Sequence, residues 1–305
     1  MILDSLAIRP VFLGSDGLRG GWRALLFATG AWYLPNALYW IAAVVFGYVP
    51  GNGFAPVDIA LYGFAVASSS LLIAGMLVGV EKRSLAWFGF PWRWSVCRPF
   101  SWGLLTGGGM VTVLMGIALL SGHASVAGLA LHGSELLRYL GLWAGGMILV
   151  GFAEELFYRG YALRALAGGI GFWPAALLTS VLFGAVHYFL KPMETMADIL
   201  NIIVLGLFLC FTIRRSGTIW FAIGFHAAFD FFALAFYGVP NTGNNGLPLE
   251  KHILATQIAG PGWLTGGPQG LEASWLLIPL VIGVAWLFNR HQPIPRYELA
   301  PDSLG

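Results

Sequence analysis

The chain has 305 residues, of which 58% are hydrophobic and 10% charged, with a formal net charge of +2. A soluble domain carries about 25% charged residues, so this sequence cannot cover itself with a polar surface and reads as a polytopic membrane protein. Its two cysteines, Cys97 and Cys210, lie far apart without CxxC spacing, which leaves neither a disulfide framework nor a cysteine metal site to expect.

Asp4, Arg9, Pro10, Asp16 and Arg19 interrupt the first twenty residues, so no cleavable signal peptide is expected and the first span serves as the insertion signal. Apolar windows of about 20 residues read as transmembrane helices. Eight are predicted, at 24–48, 59–80, 100–120, 136–159, 172–190, 196–213, 218–237 and 274–288. The sixth is the weakest, being short and carrying Asp198 in its first turn.

Lysine and arginine placement sets the orientation. With the N-terminus inside, Arg9, Arg19, Arg23, Lys82, Arg83, Arg93, Arg98, Arg164, Arg214, Arg215, Arg290 and Arg296 fall on cytoplasmic segments. Only Arg138, Lys191 and Lys251 fall outside. The expected fold is therefore all-α, with about eight transmembrane helices and both termini cytoplasmic. Trp87, Trp92 and Trp94 in the second cytoplasmic loop read as an interfacial belt. The Gly-, Pro- and Asn-rich stretch 238–272 reads as a slack extracytoplasmic linker, with a lid as the alternative.

Three polar clusters break the apolar windows. The first is Glu154-Glu155-Leu156-Phe157-Tyr158-Arg159. Residues four apart share a helix face, so Glu155 and Arg159 are expected to form an i,i+4 ion pair and Glu154 to point elsewhere. The second is Phe183-Gly184-Ala185-Val186-His187, where Gly184 and Ala185 let a neighbouring helix approach. The third is His226-Ala227-Ala228-Phe229-Asp230, with imidazole and carboxylate on one face. Each has a bland reading: a structural ion pair, an interhelical hydrogen bond, a helix-locking His–Asp pair. Depth argues against three unrelated features. At 1.5 Å per residue, Glu154 lies ~15 Å above Arg164, His187 ~22 Å above Phe172 and His226 ~12 Å above Thr218. All three fall toward the middle of a ~30 Å core, as one site between the fourth, fifth and seventh helices requires.

The ordered set Glu-Glu-x-x-x-Arg, Phe-x-x-x-His and His-x-x-x-Asp, each on its own hydrophobic helix, resembles the CPBP family. That family holds the CAAX-processing proteases (type II prenyl endopeptidases) and the bacteriocin-processing or immunity proteins. The resemblance covers about 136–237 and implies a catalytic helical core there. Residues 1–135 then form an N-terminal helical region, and 238–305 the loop and last helix. It implies an intramembrane endopeptidase, labelled in the family as a metalloprotease. Glu154 and His187 would activate water, His226 and Asp230 would stabilise the oxyanion, and Glu155, Arg159 and Phe183 would support them. Asp230 stands where better-studied members have Asn, and an ionised Asp cannot donate to an oxyanion. It would have to be protonated, orient His226 or serve a metal.

No cofactor is required by these residues, but a zinc ion held by Glu154, His187 and His226 stays open. No HExxH and no G-x-S-x-G is present. The expected partners are a peptide or protein substrate, lipidated ones included, and membrane lipid, with no nucleic acid. The expected location is a bacterial inner membrane. Competing readings are a catalytically silent scaffold or peptide-binding immunity protein on the same fold, and a transporter that uses buried Glu and His as a proton relay.

Overall fold

The computed structural model describes residues 9–14, 17–47 and 54–297. Asp4, Asp16, Tyr48 and both extreme termini, named above, lie outside them. In chain order the elements are α1 (Arg9–Phe12), the paired strands β1 (Leu13–Gly14) and β2 (Gly17–Leu18), α2 (Gly20–Phe46), α3 (Pro56–Val80), α4 (Cys97–Leu120) and β3 (Ala124–Leu129). Then come α5 (Gly133–Glu155), a π-helical segment (Leu156–Tyr161), α6 (Ala162–Ile170), α7 (Phe172–Leu190), α8 (Met196–Ser216) and α9 (Trp220–Asp230). A second π-helical segment (Phe231–Phe236), β4 (Leu254–Ile258), α10 (Gly262–Thr265) and α11 (Leu277–His291) complete the fold.

Each of the eight apolar windows holds a helix. Among the described residues, five helical stretches are long and apolar enough to cross a membrane: Pro56–Val80, Trp94–Leu120, Gly133–Ile170, Phe172–Leu190 and Met196–Ser216. Trp220–Phe236 and Leu277–His291 are apolar but shorter. The chain is an integral membrane protein by these helices. The fourth window does not stop at Arg159. The chain continues through the π-helical segment, kinks at Gly160 (φ −81, ψ −118) and runs on as α6. Asp198 in the sixth window is explained by a capping box: the Thr195 backbone N–H donates to Asp198 Oδ2 at 2.8 Å. The carboxylate starts α8 instead of weakening it.

Helix α9 is the centre of the bundle, with nine of its eleven residues buried. Glycines let its neighbours come close. On α4, a Cβ at Gly103 or Gly107 would stand 2.2 Å from the carbonyl oxygen of Phe221 or Phe225, so backbones touch where no side chain fits. On α5, a Cβ at Gly151 would lie 2.9 Å from the Ala227 nitrogen. That contact brings the two motif-bearing helices together one turn from Glu154 and His226. Gly184 admits Ile199 and Ile203 of α8, as its position in the Phe-x-x-x-His motif suggested.

The stretch 238–272 is not a slack linker. Its strand β4 pairs antiparallel with β3, Ala124 opposite Ile258, with an irregularity between Val126 and Leu129. Trp143 Nε1 donates to the Lys251 carbonyl at 3.1 Å, Thr242 Oγ1 to Glu194 Oε1 at 2.8 Å, and Asn201 Nδ2 to the Glu272 carbonyl at 2.8 Å. These bonds tie the segment to the body of the protein at several points, which makes it a fixed roof. The tryptophan belt divides. Trp92 and Trp94 are exposed, whereas the Trp87 ring is packed by the guanidinium groups of Arg83 at 4.3 Å, Arg164 at 5.2 Å and Arg23 at 5.9 Å.

Candidate active site

Both polar pairs sit at the same kind of place in the chain. Glu154 and Glu155 end α5 and Asp230 ends α9, and each helix then passes directly into a π-helical segment. Such segments add a residue to the turn, re-aim the side chains around them, and recur at functional sites.

Glu155 and Arg159 form the expected ion pair, Arg159 Nη1 donating to Glu155 Oε1 at 2.9 Å with both side chains fully buried. Sequence spacing did not reveal the second bond to the same oxygen. His226 Nδ1 stands 2.8 Å from Glu155 Oε1 across the helix interface. Glu155 thus joins Arg159 to His226 and fixes which ring nitrogen faces it. The other nitrogen, His226 Nε2, lies 3.5 Å from Glu154 Oε2 and 3.5 Å from Asp230 Oδ2. One imidazole therefore meets three carboxylates. Glu154 is the open one, at 30% side-chain exposure against 0% for Glu155.

His187 Nδ1 lies 2.9 Å from the Phe183 carbonyl. A carbonyl oxygen only accepts, so Nδ1 carries the proton and a neutral ring presents a bare Nε2. No hydrogen bond or ion pair joins His187 to Glu154 among the described residues. Phe183 links the motifs physically: its ring centroid is 4.4 Å from that of His187, 6.2 Å from that of His226, and 4.3 Å from the Arg159 guanidinium carbon.

Glu154, Arg159, Phe183, His187, His226 and Asp230 all line one cavity of about 580 Å³. A second, of about 170 Å³ and bounded by residues of α2, α3, α5 and α7, shares Glu154, His187, Phe183, Tyr62, Val150 and Lys191 with the first. Glu154, Phe183 and His187 stand where the two meet. Lys191 and Glu272 also line the larger cavity and were missed in the sequence. The signal for Lys191 was available, since it follows His187 by four residues. Burial pulls its ammonium down, but Glu272, Glu194, Glu154 and Asp230 outweigh that and raise its pKa. Burial pushes the Glu272 carboxyl up to about 7, against the opposing pull of Lys191. Nothing in the sequence pointed to Glu272, which reaches the cavity through the folded roof.

A metal was tested against the donors present. Among the described residues no three His, Cys, Asp or Glu side chains are arranged to hold one. The set Glu154, His187 and His226 does not fit a metal as it stands, and no chemical step is derived through one.

The fold and site together define a helical membrane protein with a carboxylate–imidazole centre opening on a buried cavity. Residues 136–232 match the family described as Rce1-like, type II CAAX prenyl endopeptidase Rce1-like. This segment, about a third of the chain, carries a domain of the CPBP/CAAX-protease family, a family of peptidases. No curated protein and no solved structure matches the chain.

Proposed function

We propose that the chain is an intramembrane endopeptidase that hydrolyses a peptide bond near the terminus of a membrane-associated protein or peptide. The observation that carries this reading is the half-buried Glu154 carboxylate, 3.5 Å from His226 and lining with His187 the junction of two cavities. Peptide hydrolysis needs an activated water and a group to hold the developing oxyanion. Glu154 and His187 line the same two cavities with no hydrogen bond between them among the described residues, which suits a water held between them. One of the pair takes the water's proton as oxygen attacks the carbonyl carbon, and returns it to the leaving nitrogen. His226 serves the oxyanion. When both of its nitrogens carry protons the ring is a cation: Glu155 accepts from Nδ1 at 2.8 Å, and Nε2, 3.5 Å from Asp230, keeps its N–H for the oxyanion. Asp230 acts by orienting His226, so it need not donate a hydrogen bond itself.

In this reading eight helices cross a bacterial inner membrane with both termini cytoplasmic. The twelve cytoplasmic basic residues against three outside, and a helix in each apolar window, support that topology. The substrate class includes lipidated termini, membrane lipid surrounds the helices, and nucleic acid has no part. Proteomics of membrane-protein termini tests the function, comparing cells that lack the chain with cells expressing it or its Glu154→Ala variant. New termini that depend on the intact chain support an endopeptidase. Identical termini in all three strains speak for a silent scaffold.

A further inference from the structure

The ion pair that anchors His226 depends on an absent side chain. Arg159 lies on the π-helical segment after α5, and its guanidinium reaches under the Phe183 ring toward α8. There it meets Gly206. A Cβ built on Gly206 would stand 2.7 Å from Arg159 Nη2, 2.9 Å from Ser180 Oγ and 3.0 Å from Ser180 Cβ. Non-bonded contacts to carbon settle at roughly 3.5 Å or more, so a methyl group would drive Nη2 back by about 0.8 Å.

The guanidinium is planar and rigid, so moving Nη2 also moves Nη1. Nη1 is the atom that donates to Glu155 Oε1 at 2.9 Å, and the same oxygen is 2.8 Å from His226 Nδ1. A shift of about 0.8 Å away from Glu155 would stretch the first bond to about 3.7 Å, beyond hydrogen-bonding range. Glu155 would then lose the partner that fixes it. Neither the three motifs nor the family match assigns a role to α8 at this position, although Gly206 lies within the matched segment and lines the larger cavity.

We infer that Gly206 is a positioning residue of the proposed peptidase site, whose missing side chain seats the Arg159 guanidinium and, through Glu155, sets the position of His226. This rests on the endopeptidase reading for its kinetic consequence only. A small residue there for helix packing alone would tolerate alanine or fail independently of Arg159.

The test is a double-mutant cycle between Gly206→Ala and Arg159→Lys in the full-length chain. Lysine keeps the charge but lacks the Nη2 branch that the methyl group strikes. Gly206→Ala alone should lower kcat at least tenfold while KM stays within about twofold. In the Arg159→Lys background, Gly206→Ala should cost no more than about twofold further activity, the remainder left by its contact with Ser180, since coupled residues are not additive. A second readout needs no turnover: the ¹⁵N shift of His226 Nδ1 should change on Gly206→Ala with Arg159 present and stay unchanged in the Arg159→Lys background. If Gly206→Ala alone does not fold, the double variant should fold. Additive losses, a changed Nδ1 shift in both backgrounds, or two unfolded variants would overturn the assignment. If the native chain cleaves nothing, the endopeptidase reading fails while the ¹⁵N cycle still decides the role of Gly206.

Discussion

Replacing Arg159 by alanine removes a cation from a place that water does not reach. The Arg159 and Glu155 side chains are both fully buried, 2.9 Å apart. Breaking one member of such a pair costs about 3–5 kcal/mol, because the remaining charge is left unpaired. The substitution also removes the guanidinium from the face of Phe183, 4.3 Å away, a contact typically worth about 0.5–2 kcal/mol. One feature works the other way: His226 Nδ1 stays 2.8 Å from the stranded Glu155 oxygen and gives it a substitute partner. The expected loss is therefore about 3–5 kcal/mol in all, not the sum. At ~2–4 °C per kcal/mol for a chain of a few hundred residues, the apparent melting midpoint in detergent should fall by at least about 6 °C. Activity should fall with it, because Glu155, partnered by His226 alone, no longer has a fixed position from which to orient the ring. The measurement is thermal unfolding and cleavage on one preparation of Arg159→Ala. An unchanged midpoint with abolished cleavage would refute the structural role and make Arg159 a direct participant in binding or chemistry.

Asp230→Asn should keep substantial activity and Asp230→Ala lose most of it, because the amide still places an oxygen near His226 Nε2, 3.5 Å away in the native chain, and can donate to an oxyanion; loss in both variants counts against the orienting role. Activity should survive exhaustive chelation, since the donors as placed do not form a ligand set, and restoration of a chelated enzyme by zinc would overturn that. Glu272, with its carboxyl raised by burial to about 7, holds a proton in the folded protein that the unfolded chain has released above about pH 4.5. Its contribution to stability is thus full below about pH 4.5 and lost as pH rises through about 7, to at most about 3 kcal/mol. Glu272→Gln should flatten the dependence of the melting midpoint on pH between 5 and 8 and raise the midpoint at pH 8. An unaltered pH dependence would show that Glu272 does not titrate there.

The positions of the helices were legible because apolar runs in a membrane leave few alternatives. Window 172–190 and α7 (Phe172–Leu190) have the same bounds. The Glu155–Arg159 pair was legible for a similar reason, since i,i+4 spacing on a helix fixes a contact by itself. Contacts between helices were not. Glu155 was read as the partner of Arg159 alone, and its bond to His226, 71 residues on, follows from how α5 and α9 cross. The π-helical segments left no periodic mark, so the fourth window ended at Arg159 where the chain in fact kinks and continues. The roof was the clearest failure. Gly, Pro and Asn read as slack locally, but β4 finds its partner β3 more than a hundred residues earlier, a pairing that no local pattern carries.

The central claim is that Glu154, together with His187, activates water for peptide hydrolysis. The most direct test is cleavage of a membrane-anchored peptide by purified protein in proteoliposomes, with Glu154→Gln beside the native chain. The substitution keeps the shape of the side chain and removes its ability to take a proton. The account predicts turnover by the native chain, a loss of at least about a hundredfold in kcat for Glu154→Gln, and an unchanged melting midpoint, since this carboxylate is open to the cavity. Turnover by Glu154→Gln at the native rate would contradict it.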